Sequence, residues 1–349
     1  QLPASLDLFA DVVRNPAFRL ADIERIRGQW LAAIAQEKTQ PGSIALRILP
    51  PLLYGGNHAY GIPFTGTGTE ASIKSLGAED LRNFHRDYIR PDNVEILVAG
   101  DTTLAEITAE LDRVFGNWDA AEMPIPKKSV ADVDAQKSAR VFLIDRPDSP
   151  QTLILTGALA PSTRTPNNLD IQTMNDVFGG NFTSRLNMNL REDKRWAYGA
   201  SSFLQDAIGQ RPFITYASVQ TDKSAESVHE ILKESRAIIG TRPVTDEELA
   251  RAKAQSIRAL PGSFETTRSV LGVLVGNALY TRADDYVTTL KAKYEAQTDA
   301  DIEAAAKQII QPDALTWVIV GDLKKIEQPL RALKLGEVSV LDADGKTVP

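Results

Sequence analysis

Gln311-Pro312-Asp313-Ala314-Leu315-Thr316-Trp317-Val318-Ile319-Val320-Gly321-Asp322 is a turn, an unbroken apolar run and a Gly-Asp stop. That is the pattern of a short strand buried on both faces. The same pattern occurs 221 residues earlier, where Arg90-Pro91-Asp92-Asn93 leads through Val94–Val98 to Gly100-Asp101. The helical stretches before the two strands, around Leu81 and Ile302, match at the same offset. Further upstream, Asp22–Gln29 lies on Glu248–Gln255 without a gap at an offset of 226. Three matches in one order mark an internal duplication.

The duplication sets the expected organisation. Repeat two opens with a strand at Val141–Ile144, about 108 residues before its helix at Glu248, whereas repeat one has 21 residues before Asp22. Roughly 87 residues of repeat one are therefore predicted to lie outside this chain. The expected fold is α+β: two homologous domains, each with helices packed on one face of a largely antiparallel sheet, the first truncated at its N-terminus. The first domain is placed at 1–122 and the second at 140–349. The Pro-containing stretch 123–139, poor in large residues, is the linker. Helices are predicted at 22–38, 43–53, 79–88 and 104–115 in repeat one, with a strand at Glu95–Ala99. Repeat two is predicted to start with a hairpin, Val141–Ile144 and Thr152–Leu155, around Asp148-Ser149-Pro150. A helix from Asn168 to Gly179-Gly180, strands near 197–203 and 213–219, and helices at 225–239, from the Thr245/Glu248 capping pair, at 270–279 and at 300–309 complete it.

Composition narrows the function classes. In 349 residues, 43% are hydrophobic and 24% charged, which excludes a disordered chain and a coiled coil. No apolar run approaches the ~20 residues that span a bilayer. A net charge of −7 with scattered Lys and Arg leaves no footprint for nucleic acid. The absence of cysteine removes disulfides, thiolate catalysis and Cys-ligated zinc.

Candidate chemistry is sparse. His58, His85 and His229 are far apart, so neither H-E-x-x-H nor H-x-x-E-H is present, and each is read as an ordinary surface or packing residue. Asp342-Ala343-Asp344-Gly345 imitates the start of a calcium loop, but no closing Glu follows. Gly179-Gly180 lacks a dinucleotide fingerprint and is read as a helix stop.

One segment stands out: Phe178-Gly179-Gly180-Asn181-Phe182-Thr183-Ser184-Arg185-Leu186-Asn187-Met188-Asn189-Leu190-Arg191-Glu192-Asp193-Lys194-Arg195-Trp196-Ala197-Tyr198-Gly199. With its Gly-Gly, Ser-Arg-Leu and Leu-Arg-Glu stretches it resembles the second, non-catalytic half of insulinase/pitrilysin-like zinc peptidases, the inverzincins. Leu52-Tyr54-Gly55, His58-Ala59-Tyr60-Gly61 with Gly66, and Tyr88 through Asp101 are similar to further stretches of that family, so the resemblance covers essentially the whole chain. It implies that Arg191 and Tyr198 bind the substrate carbonyl and steady the tetrahedral intermediate opposite a zinc. The residues themselves allow two readings. A guanidinium at a helix end and a phenol after a tight turn are donors suited to an oxyanion. Equally, Arg191 can pair with Glu192 or Asp193 while Tyr198 sits in the core.

The resemblance also implies where zinc ligands would lie. The first-helix position of repeat one falls before Gln1, and in repeat two it is Asp170–Phe178, without histidine. In the later helix, Ile26 and Ala33 stand where active repeats carry an acidic residue and the ligand Glu, and Ala259 takes the ligand place in repeat two. A four-residue register slip would bring Glu37 there. A catalytic zinc needs three protein ligands and a water, so none is expected on this chain. The implied function is the non-catalytic half or subunit of a zinc metalloendopeptidase, which closes the chamber, offers a strand edge to the peptide and supplies Arg191 and Tyr198. The implied partner is an H-x-x-E-H-bearing half holding the zinc. A structural core-type subunit and a stand-alone peptide-binding module are the alternatives. Similarity to bacterial two-half peptidases, with the absence of cysteine, points to the periplasm.

Overall fold

A computed structural model of the chain describes residues 1–348. It divides into two units: Gln1–Ala35 with Thr67–Ser129 and Ser263–Val275, and Gln36–Gly66 with Val130–Gly262 and the residues from Gly276 on. The sequence reading splits the chain once, at 123–139. The observed units interleave, because 36–66 belong with the second and 263–275 with the first.

The second unit holds a six-stranded sheet. Its strands are β1 (Arg140–Asp145), β2 (Gln151–Ala160), β3 (Ala197–Leu204), β4 (Arg211–Gln220), β5 (Thr316–Gly321) and β6 (Glu337–Leu341), in the order β3-β4-β2-β5-β1-β6. The strand read first from the sequence, β5, lies inside the sheet with every residue buried. It runs antiparallel to β2 and parallel to β1, which in turn pairs parallel to β6. Both predicted strands of the opening hairpin exist, but they do not pair with each other: β5 lies between them. An apolar strand such as Thr316–Gly321 gains two hydrogen-bonded neighbours there, and the turn Asp148-Ser149-Pro150 only has to carry the chain across that gap.

Alternation along β5 builds two cores. Trp317 and Ile319 join Ile171, Met174, Phe178, Val228 and Ile302 under the helices Asn168–Asn175, Ser224–Ile238 and Asp299–Ile309. Val318 and Val320 face the other way, onto Ile44, Ile48, Leu49 and Leu53 of the helix Pro41–Tyr54. Helices therefore cover both faces of this sheet, and the helix on the second face comes from the interleaved segment 36–66. Each of these side chains contributes ~1.5–3 kcal/mol on full burial.

The first unit is helical among its described residues, with helices Leu2–Arg14, Leu20–Glu37, Glu70–Ser75, Ala78–Tyr88 and Leu104–Phe115. Among the described residues the predicted strand at Glu95–Ala99 pairs with none, and Val94, Ile96 and Val98 remain 38–43% exposed. Polar ties hold this unit: Arg14 donates to the Val114 carbonyl at 2.6 Å, and Arg90 to the carbonyls of Met123 and Ala121. A mainly apolar groove of about 570 Å³ runs beside Ile23, Ile26 and Trp30, with Phe18, Ile73 and Leu76 opposite.

Candidate functional site

In the second unit the segment singled out from the sequence is helical from Arg185 to Asp193, and Arg185 anchors it. Its buried guanidinium donates to both carboxylate oxygens of Glu248 at 2.8 and 2.6 Å, and to the carbonyls of Arg242 and Pro243 at 2.6 and 2.8 Å. Glu248 is also the N3 residue of the capping box begun by Thr245. Burial pushes the Glu248 carboxyl up, but Arg185 and Thr245 outweigh this and hold it below the ordinary range. Asn189 adds a second tie, donating to Glu230 and Glu234 at 2.8 Å each.

Between Arg191 and Tyr198 the backbone departs from regular geometry three times. Met188–Asp193 is a π-helical turn that carries Arg191. Arg195 adopts φ +58°, left-handed for a side chain with no special tolerance of it. Tyr198 is the extra residue of a β-bulge, since Ala197 pairs with Val219 and Gly199 with the next residue, Ser218. Such irregularities cost stability and gather where a side chain has to be aimed. Hydrogen bonds from Lys194 N–H to the Asn189 carbonyl and from Trp196 N–H to the Leu190 carbonyl, each 2.9 Å, close the turn.

The two predicted residues end up partly exposed. Tyr198 is 85% exposed, and its hydroxyl makes no hydrogen bond among the described residues, so it is not a core residue. The Arg191 guanidinium lies 4.6 Å from the centre of the Phe182 ring and 3.4 Å from Glu192. The surface pairing with Glu192 is thus present, but it is loose. Nothing in the sequence marks Phe182: a lone aromatic nine residues before an arginine gives no periodic signal.

The edge of the sheet beside this site is occupied. Asn187 accepts from the N–H of Ala200, and Asn175 donates to the carbonyl of Ser202 while accepting from its hydroxyl. Gly179 lies so close to β3 that a Cβ there would stand 2.5 Å from the Ser202 nitrogen. The glycine pair is therefore a contact point as well as a helix end. At Ala200 and Ser202 this edge of the sheet is filled by the chain's own side chains.

Elsewhere the candidates are ordinary. His58 accepts from Tyr60 N–H, bonds the Ala131 carbonyl at 2.9 Å and stacks on Tyr54. His85 bonds the Val13 carbonyl, and His229 is exposed on its helix. Asp342 accepts from the N–H groups of Asp344 and Lys346, and Asp344 pairs with Lys38. At the implied ligand places, Ile26, Ala33 and Ala259 have no donor atom to offer a metal, and Glu37 is held by Arg47 at 2.6 Å. Among the described residues no group of three or more His, Cys, Asp or Glu is placed to hold an ion. Burial alone pushes the Asp176 carboxyl, in the π-helical turn that also holds Gly179, up to about 6.

Residues 75–256 match the family model described as the peptidase M16 inactive domain. A curated relative, the uncharacterized zinc protease YmxG of Bacillus subtilis, is 25% identical over 265 residues, which are 76% of this chain and 62% of the relative. The chain thus spans under two thirds of that relative's length. The peptidase M16 inactive domain from Pseudomonas fluorescens superposes with a TM-score of 0.81 at 23% identity, covering 91% of this chain and 74% of that one. The first half of the periplasmic protease PqqL from Escherichia coli superposes at 0.70 and 13% identity, covering 97% and 76%. These likenesses agree with the fold described above, and the match over 75–256 runs from the later elements of repeat one to the helix begun by Thr245 in repeat two. The chain belongs to the peptidase M16 inactive-domain family.

Proposed function

We propose that the chain is the non-catalytic half of a zinc metalloendopeptidase and that Arg191 and Tyr198 act on the substrate. A partner half with an H-x-x-E-H helix brings the zinc; the residues at the corresponding places here do not form such a site. The observation that carries the proposal is the placement of Tyr198: a bulge turns a large aromatic out of a sheet and leaves its hydroxyl unpartnered. A phenol that is 85% exposed and makes no hydrogen bond among the described residues adds little to the fold. Arg191 presents a planar fork of donors, carried on a ring rather than locked in a close ion pair. Together they would donate to a peptide carbonyl as its oxygen gains charge, where one well-aimed donor is worth ~3–4 kcal/mol. The peptide is then held through its carbonyl at this site and not by pairing along β3 at Ala200–Ser202. Periplasmic residence is part of the proposal, by likeness in fold to the periplasmic protease PqqL.

The test is turnover of an internally quenched nonapeptide by the assembled peptidase. Tyr198→Phe and Arg191→Ala should each lower kcat by ~10²–10³ with zinc content unchanged. Arg191→Lys should be nearly as damaging, because a point charge does not reproduce the fork. Near-normal turnover of the Phe variant would end the claim for the pair.

A further inference from the structure

A continuous set of contacts joins the two proposed donors, and it runs through Asn187 and Phe182. Asn187 is 4% exposed. Its Nδ2 donates to the Phe182 carbonyl at 2.7 Å, and its Oδ1 accepts from Ala200 N–H at 3.2 Å. The first bond fixes the loop whose ring carries the Arg191 guanidinium at 4.6 Å. The second fixes β3 two residues beyond Tyr198. One carboxamide therefore sets the Arg191 side of the site against the Tyr198 side. The orientation of the amide follows from its partners, since a carbonyl needs the NH₂ and an N–H needs the oxygen.

Phe182 has no comparable structural reason to be there. It is 57% exposed, so it gains little from burial, yet its ring centre lies 4.6 Å from the Arg191 guanidinium. Without it, a flexible arginine on a π-helical turn keeps, among the described residues, its loose pairing with Glu192.

Resting on the functional reading above, we infer that Asn187 and Phe182 are positioning residues for Arg191 and Tyr198: the carboxamide sets the spacing of the two donors and the ring aims the guanidinium. Misplacement by an ångström is enough to cost a large part of an aimed interaction's effect on rate. Neither residue needs to touch the peptide, so the loss belongs in kcat.

The experiment uses the assembled peptidase and the same internally quenched nonapeptide, with Tyr198→Phe as reference. Phe182→Ala, at an exposed position, is expected to keep the melting temperature and lower kcat about tenfold, with KM changed less than about threefold. Asn187→Ala is expected to lower kcat by ~10–10² and to be non-additive with Tyr198→Phe, because both act on one oxyanion. Asn187→Asp adds a readout that packing alone would not move. Its carboxylate still accepts from Ala200 but faces the Phe182 carbonyl with a lone pair; once protonated it regains a donor. Its kcat relative to wild type should therefore rise as pH falls, and that of Asn187→Ala should not. If Tyr198→Phe loses turnover while Phe182→Ala and Asn187→Ala keep it, the positioning role is overturned and the functional reading stands. If Tyr198→Phe itself turns over normally, both are overturned. Should Asn187→Ala fail to fold, Phe182→Ala alone decides: an unchanged kcat overturns the inference.

Discussion

Residues 90–101 and 311–322 carry one local pattern and have two fates. In the later copy the apolar run becomes β5, with neighbours on either side and Trp317 fully buried. In the earlier copy it stays outside any strand pairing among the described residues, with Ile96 38% exposed. Both are preceded by a helix and a short Pro-Asp turn, Pro91–Asn93 and Pro312–Ala314, so local encoding worked both times. The difference is the presence of partner strands. A strand's backbone groups need neighbours as well as a suitable sequence, and β-propensity is largely a measure of the surface a residue packs on.

Amide exchange gives the largest expected contrast. The amides of Trp317–Val320 should exchange only on global opening, with protection of ~10⁴ or more, while those of Val94–Val98 should stay within about a hundredfold of the free-peptide rate. Equal protection would mean that 94–98 find a partner in solution. Next in size is stability. Trp317→Ala should cost ~3–5 kcal/mol in denaturant titration and Ile96→Ala under ~1 kcal/mol, since only the first opens a cavity.

A pH titration sharpens the comparison, because the sheet-bearing unit also buries a lone carboxyl. Asp176 is raised from 3.8 to about 6 in the fold. Between those values the folded chain holds a proton that the unfolded chain releases. This contribution to stability is complete below about pH 4 and lost as pH rises through about 6, a difference of roughly 2–3 kcal/mol. Melting temperatures of wild type and Asp176→Asn, compared from pH 7.5 down to 4.5, should converge towards acid and separate towards neutral, with the Asn variant the more stable at pH 7.5. A constant gap would count against a buried, unpaired carboxylate.

The smallest effect concerns the unpaired copy. Ile96→Lys should leave the melting temperature nearly unchanged and reduce self-association in light scattering, because a charge on an exposed edge blocks strand addition. Matching charge at Val318 should instead prevent folding.

Much of the fold was legible. The helix capped by Thr245 and Glu248 starts where predicted, and the buried strand at 316–321 falls in the apolar run read between the turn at 311–314 and the Gly-Asp stop. The hairpin was misread because strand order is invisible to local pattern: nothing in 141–155 says that a strand from 160 residues later will enter between its two arms. The helix Pro41–Tyr54 shows its apolar residues in sequence, but not that they cover the face of the sheet opposite the other helices. At the candidate site, Arg191 and Tyr198 were found through resemblance. Arg185, Asn187 and Phe182 were passed over because their partners, Glu248, Ala200 and the Arg191 guanidinium, are defined only once the chain has folded.

By itself the sequence determined the α+β class, most helix and strand positions, and the family, because these rest on periodicity, capping and residue order along the chain. Tertiary structure alone decided which of two equivalent apolar runs becomes a strand, that β5 parts β1 from β2, that Asn187 and Asn175 fill the edge of β3, and that Tyr198 points outward from a bulge. Each of those depends on hydrogen-bond and packing partners distant in sequence, and a residue's own pattern records its preferences but not which partners will be there to meet them.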